Sequence, residues 1–203
     1  MMTGRCFIFG ALEVRTLRER PDEGDFVIAA DRGWQTAMSL GIVPDLAVGD
    51  FDSLGVSPEG VPTVRLQVRK DDTDLEHAVN IALERGYTDF VVYGAVGGAL
   101  DHTLGNIAVA EMIADRGGRS VFRGEQGSFS VIRGGSLTLP ARDSGRAAVI
   151  SLSDVSHGVS ISGLSYEADG IDLPRATTRG IGNSFIGKEA VISVADGTLL
   201  VIF

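Results

Sequence analysis

No apolar run in this sequence approaches the roughly 18 residues that a membrane-crossing helix needs, so no span is expected. The start, MMTGRCFIFG, has neither a long apolar core nor a small-residue cleavage site, and no secretory signal is expected there. Cysteine is nearly missing: Cys6 stands alone and cannot form an internal disulfide. It lies in an apolar run with only Arg5 as a cationic neighbour, which predicts a buried, inert thiol. Together these absences lead us to expect a cytoplasmic protein. Positive charge is scarce too, with 18 Lys and Arg against 27 Asp and Glu and a net charge of −9. Such a balance argues against a nucleic-acid surface.

The negative excess is uneven. Residues 1–116 hold 10 basic and 19 acidic side chains, whereas residues 117–203 hold 8 of each. A solvated acidic face accounts for that, and so does a site built to hold cations. Otherwise the composition is globular, 44% hydrophobic and 22% charged, with glycine frequent at 27 residues. Its 203 residues suit one large domain or two small ones.

The two halves have different periods. In the first, RCFIFG, DFVIAADRG, LAVGDFD, TVRLQV and DFVVYGAV read as buried strands. Between the last two, Leu75, Ala78, Val79, Ala82 and Leu83 mark one face of a helix, with Thr73 and Glu76 as a capping box and Gly86 as its stop. A second helix is predicted over 101–116, with Leu104, Ile107, Ala108 and Met112 on its apolar stripe. Strand–helix alternation predicts a mostly parallel α/β sheet flanked by helices. After residue 118 the helical period disappears. FSVIRG, SLTLP, RAAVISLS, GVSISGLSY and EAVISVADGTLLVIF read as short strands, with Asp196-Gly197 as a hairpin turn. The expectation is an α/β domain over 1–122 and an all-β sandwich over 123–203.

In open α/β sheets, ligands sit beyond the carboxyl ends of the strands. Those ends carry acids here: Asp31 after IAA, Asp50 and Asp52 after LAVG, and Asp71, Asp72 and Asp74 after RLQVRK. The fourth, VVYG, leads into Gly94, Gly97 and Gly98, then Asp101 and His102 at a helix start. In VGDFDS, Asp50 and Asp52 point the same way only if the chain stays extended, and like charges so close repel. A hard divalent cation with oxygen ligands relieves that repulsion, and Mg²⁺ combines a few carboxylates with substrate phosphates. Glycines before a helix let backbone N–H groups approach an anion at its positive end.

Simpler readings stand beside these. Asp31 and Asp101 could cap helices, Asp71 and Asp72 could form a solvated turn, and the glycines could serve strand–helix packing. A calcium loop starting at Asp50 fails at Leu54 and Val61. A dehalogenase-type phosphatase also uses D-x-D after a strand, but Lys70-Asp71-Asp72 follows too closely for its usual intervening cap.

AADRG (29–33), PDLAVGDFDS (44–53), KDDTDLEHA (70–78) and the GAVGG–LDHTLGN stretch (94–106) resemble, in order and spacing, the thiamine pyrophosphokinase family. ISGLSYEADGIDLP (161–174) and GIGNSF (180–185) resemble its C-terminal motifs. The resemblance implies a homodimer with sites at the subunit interface. It implies transfer of diphosphate from ATP to the hydroxyethyl group of thiamine, giving thiamine diphosphate and AMP, with Mg²⁺. It assigns the metal to Asp50, Asp52 and Asp74, sets Thr73 and Asp71 beside the phosphates and puts Asp31 near the nucleotide or metal. Gly33, Lys70, Gly94, Gly97, Gly98 and His102 are the further nucleotide candidates, and Asp71 or Asp101 is the candidate proton acceptor. Thiamine falls to Tyr166, Gly182, Asn183 and Ser184, with Tyr166 where the family often has a stacking Trp.

Three positions depart from the family pattern. Ala99 replaces an Arg of GGRxDH, for which Arg32, Arg69 or Lys70 is the candidate substitute; Gly182 replaces a Ser; and Tyr166 keeps a planar face with less area. Two other readings remain open: a diphosphokinase acting on another alcohol such as a hydroxymethylpterin, and a non-catalytic nucleotide-binding sensor.

Overall fold

The computed structural model describes residues 4–51, 58–67, 71–125 and 127–203, so Asp52, Ser53, Arg69 and Lys70 lie outside the described residues. The chain divides into two compact units, Met1–Ile113 with Gly118–Gln126, and Ala114–Gly117 with Gly127–Phe203.

In chain order the first part contains β1 (Cys6–Phe9), β2 (Phe26–Ala30), α1 (Gly33–Ser39), β3 (Leu46–Gly49) and β4 (Thr63–Arg65). Then come α2 (Asp74–Glu84), β5 (Asp89–Tyr93), α3 (Leu100–Asp115) and β6 (Arg119–Arg123). The strands lie in the order β6-β5-β1-β2-β3-β4, and every neighbouring pair is parallel. The uninterrupted apolar runs follow from that arrangement, because a parallel strand covered on both faces has no polar side: β1, β2 and β3 are buried at every residue. Cys6 is among them, fully buried as expected. Phe7, Phe9, Val27, Val91 and Tyr93 form a core with Ala37 of α1, and the Phe9 and Tyr93 rings stack at 5.8 Å.

Helix α2 follows its sequence signals. Thr73 is the N-cap and its side chain accepts from the Glu76 backbone N–H at 3.2 Å; Leu75, Ala78, Val79 and Ala82 are buried; Gly86 closes the helix at φ +88°. Helix α3 differs from expectation in its orientation. The buried residues are Asn106, Val109, Ala110 and Ile113, while Leu104 is 57% exposed and Ala108 is also on the surface. Apolar residues run around much of this helix, so periodicity alone could not choose the inward face. Asn106, a polar residue, is on it because its amide has a backbone partner.

The second part contains β7 (Ser128–Leu139), β8 (Arg146–Ser151), β9 (Val155–Ser162), β10 (Ala168–Pro174), β11 (Asn183–Ser184) and β12 (Ala190–Ile202). Their pairings with one another are antiparallel, and no helix follows α3 among the described residues. β8 and β9 alternate buried and more exposed residues, as strands with one covered face do. The expected hairpin at Asp196-Gly197 does not form. β12 runs along β7 on both sides of that dipeptide, with a register shift between Val194 and Thr198. FSVIRG and SLTLP are likewise one strand, continuous through Gly134 and Gly135, which both have positive φ. Asp-Gly here makes a bulge rather than a reversal, and Gly197 packs so closely on Ser156 that a Cβ would stand 2.9 Å from its Oγ. The bulge also changes the far neighbour of β12, from β9 at Val191–Ser193 to β8 at Leu199–Ile202.

Candidate active site

The sheet order reverses between β1 and β5, because the chain leaves β1 toward β2 but later returns on its other side. A crevice opens at the carboxyl ends of strands at such a point. A cleft of about 270 Å³ lies there, bounded by Gly10 after β1 and Gly94 after β5. Asp31, Thr73, Asp74, Gly97 and His102 also line it.

Three acids meet at one place. Carboxylate oxygens of Asp31, Asp50 and Asp74 all lie within 4.8 Å of one another, and each side chain is half-buried. Two strand ends and a helix start deliver them. Asp31 follows β2 and holds a left-handed backbone, φ +49°, with its N–H donating to Val48 O at 2.8 Å. The N-cap of α1 is Arg32, so Asp31 is not its cap. Asp50 follows β3, and Asp74 is the first residue of α2 after the Thr73 cap.

Gly49 makes the convergence possible. A Cβ there would stand 3.1 Å from Asp31 Cα and 3.4 Å from Asp74 Oδ2. The sequence reading did not single it out; a glycine ending an otherwise apolar strand was the available signal.

The residue between the two acids of VGDFDS is not extended. Phe51 has φ +57°, rare for a bulky residue, and its ring is buried with Ala47 and Val61 against Trp34. A conformation of that kind costs about 1–3 kcal/mol, here set against burial of the ring.

Around the acids, Asp71 is exposed, and Asp72, expected in a solvated turn, is half-buried with its Oδ1 3.3 Å from His77 Nε2. Gly94, Gly97 and Gly98 all have positive φ, and Gly94 presses on Leu12, whose carbonyl oxygen would lie 2.6 Å from a Cβ. Gly33 is explained by packing, since a Cβ there would collide with Phe9 O. Thr103 donates from Oγ1 to Gly97 O at 3.0 Å, and Asn106 donates from Nδ2 to Ala95 O at 2.7 Å. These two α3 side chains brace the glycine loop, and neither was picked out from sequence. Asp101 is exposed in the first turn of α3 and accepts from the His102 N–H at 2.8 Å, a local bond of the kind helix starts use.

Within the second part of the chain, Tyr166, Asn183 and Ser184 come together. Tyr166 is 72% exposed, Asn183 is buried, and Ser184 Oγ lies 2.8 Å from Ser165 Oγ. Gly182 has φ +83° with open space where a Cβ would point, so backbone conformation rather than crowding favours glycine there.

A sequence model of a family described as thiamin pyrophosphokinase, catalytic domain, matches residues 18–121, just over half of the chain. The chain belongs to the thiamin pyrophosphokinase family. The matched stretch contains every acid of the carboxylate cluster and most of the glycine loop's supports. A curated thiamine pyrophosphokinase of Bacillus subtilis is 28% identical over 188 residues, covering 89% of this chain and 88% of that protein. A crystal structure of thiamin pyrophosphokinase from Geobacillus thermodenitrificans is similar at 27% identity and a TM-score of 0.83, covering 97% of this chain and 95% of that one. The fold is also that of the Bacillus subtilis thiamine pyrophosphokinase crystal structure, at 24% identity and a TM-score of 0.84 over 98% of each chain. These likenesses agree with a mixed α/β fold. No helix among the described residues is long and apolar enough to cross a membrane.

An oxygen-only donor set suits a hard cation. Three carboxylate oxygens within 4.8 Å of one another are close enough for their side chains to adjust around one ion. Each pair of these carboxylates repels by about 1 kcal/mol in a water-like medium, and more as the dielectric falls. A divalent ion offsets that repulsion, and the residues present fit it.

Proposed function

We propose that this protein transfers the diphosphate of ATP to the hydroxyethyl group of thiamine, yielding thiamine diphosphate and AMP, with Mg²⁺. The observation that carries this reading is the convergence of Asp31, Asp50 and Asp74, two of which, Asp31 and Asp74, line the cleft, within motifs that the family match covers. Asp50 and Asp74 would hold the metal with Asp52, and Asp31 joins them as a ligand.

In-line attack by the thiamine hydroxyl oxygen on the β-phosphorus forms the new P–O bond. The bond from that phosphorus to the oxygen bridging the α-phosphate breaks, and AMP leaves with its electron pair. The alcohol proton passes to a carboxylate, for which exposed Asp71 and Asp101 are the candidates. Bound Mg²⁺ supplies charge neutralisation at the polyphosphate oxygens. What the chain supplies is positioning: Gly94 and Gly97 admit the phosphates close to backbone, the α2 and α3 N-termini favour anions, and Thr73 and His102 flank the cleft. Lys70, in the same KDDTD motif, would add positive charge.

We assign nucleotide and metal chemistry to the N-terminal α/β domain. Thiamine recognition and dimerisation go to the C-terminal β-sandwich, with a cytoplasmic homodimer as the working form. Tyr166 is the planar platform for the vitamin, beside Gly182 and Ser184.

Release of AMP from ATP tests the reading. Thiamine-dependent release supports it. Release only with another alcohol, such as a hydroxymethylpterin, assigns a different acceptor, and tight nucleotide binding without turnover assigns a sensor.

A further inference from the structure

We infer that Asn183 is a positioning residue for Tyr166 rather than a direct contact of the vitamin. This rests on the proposed thiamine reading and alters the role of one residue within it. The motif position alone would make Asn183 a substrate ligand.

Its amide is already occupied within the fold. Oδ1 accepts from the Tyr166 N–H at 2.9 Å and from the Ser184 N–H at 2.9 Å, while Nδ2 donates to Tyr166 O at 2.7 Å. Asn183 is 5% exposed, so little of it is open to a ligand. The acceptor faces two N–H groups and the donor faces a carbonyl, which fixes the amide's orientation. Both backbone polar groups of Tyr166 are thus held by one side chain.

The surrounding turn is tied down independently. Leu164 bridges Phe185, the Ser165 N–H donates to Ser184 O at 3.0 Å, and the Gly163 N–H donates to Glu167 Oε1 at 2.9 Å. Asn183 completes that frame at the residue whose ring projects. An exposed aromatic on a fixed backbone has only its side-chain torsions left to order when a planar heterocycle stacks on it. Preorganisation of this kind lowers the entropy cost of binding. Removing the amide frees the backbone beneath the ring while leaving the ring itself intact.

A double-mutant cycle tests this, with the intact protein, Mg²⁺, ATP and thiamine, and with thermal unfolding recorded for each variant. Tyr166→Ala is expected to raise KM for thiamine roughly tenfold or more, the range of lost aromatic stacking, with KM for ATP unchanged. Asn183→Ala is expected to raise the same constant without changing KM for ATP, and to add no further increase in the Tyr166→Ala background. Asn183→Asp, which keeps the acceptor but sets an oxygen against Tyr166 O, is the harsher variant and is read in the same way. Independent effects that multiply in the double variant would overturn the inference, as would equal rises in KM for both substrates. Wild-type protein that shows no thiamine-dependent turnover would instead remove the reading on which the inference rests.

Discussion

Gly49 and Asp74 are adjacent in space although 25 positions apart in sequence: a Cβ on Gly49 would lie 3.4 Å from Asp74 Oδ2. The same Cβ would lie 3.1 Å from Asp31 Cα and 3.2 Å from Asp31 N. Gly49 is not in the left-handed region, so alanine meets crowding there rather than backbone strain. Gly49→Ala should cost about 1–3 kcal/mol, as overpacked sites do, and raise the Mg²⁺ concentration needed for half-maximal turnover. Thermal unfolding and a Mg²⁺ titration of activity check the two parts. An unchanged Mg²⁺ requirement would separate Gly49 from the metal site.

Asp50→Asn and Asp74→Asn should each lower turnover on the order of 100-fold or more while leaving the fold intact. Removing one of three clustered like charges relieves repulsion, so stability in the absence of metal should hold or rise. Asp52→Asn is expected to behave similarly by its place in GDFDS. Kinetics beside metal-free unfolding curves test this. A large loss of metal-free stability would show that these side chains hold the fold instead.

Much of this arrangement was legible in the sequence. The parallel strands announced themselves as apolar runs, and Thr73, Glu76 and Gly86 marked both ends of α2. Acids at successive strand ends forecast the cluster, since a parallel sheet places those ends along one edge. What sequence could not settle was orientation. The inward face of α3 depends on Asn106 finding Ala95 O, and a polar core residue is invisible to a hydrophobic period. Asp196-Gly197 satisfies a hairpin and a bulge equally; Ser156 beside Gly197 and the two positive-φ glycines of β7 accompany the bulge. Phe51 combines a left-handed backbone with a ring in the core, a pairing that no hydrophobic period foretells.

Asn106→Ala should destabilise the protein by about 1–3 kcal/mol, because the buried Ala95 carbonyl loses its side-chain donor. Turnover should fall as well, since that bond braces the loop carrying Gly94 and Gly97. Asn106→Asp, which places an acceptor against a carbonyl, should be worse on both counts. Unfolding and steady-state kinetics of the pair decide it. Wild-type behaviour in both would leave the loop braced by Thr103 alone.

Cys6 should resist thiol reagents. Burial pushes its thiol far above the ordinary cysteine range, and the negative charge of Asp45 adds to the effect. Because the folded value is raised, the unfolded thiol ionises first. Its contribution to stability is therefore complete below the usual thiol value, about 8.5, and is lost as pH rises beyond it. Labelling of native protein near pH 8 should be slow, and denaturant should make it fast. Rapid labelling without denaturant would contradict the burial of β1.

The most direct test of the shared-cation site is a titration with Mn²⁺, followed by electron paramagnetic resonance in the presence of a non-hydrolysable ATP analogue. The account predicts saturable binding by wild-type protein, weakened at least tenfold in each of Asp31→Asn, Asp50→Asn and Asp74→Asn. Equal Mn²⁺ affinity in all four proteins would mean that the three carboxylates share no ion, and would contradict the account.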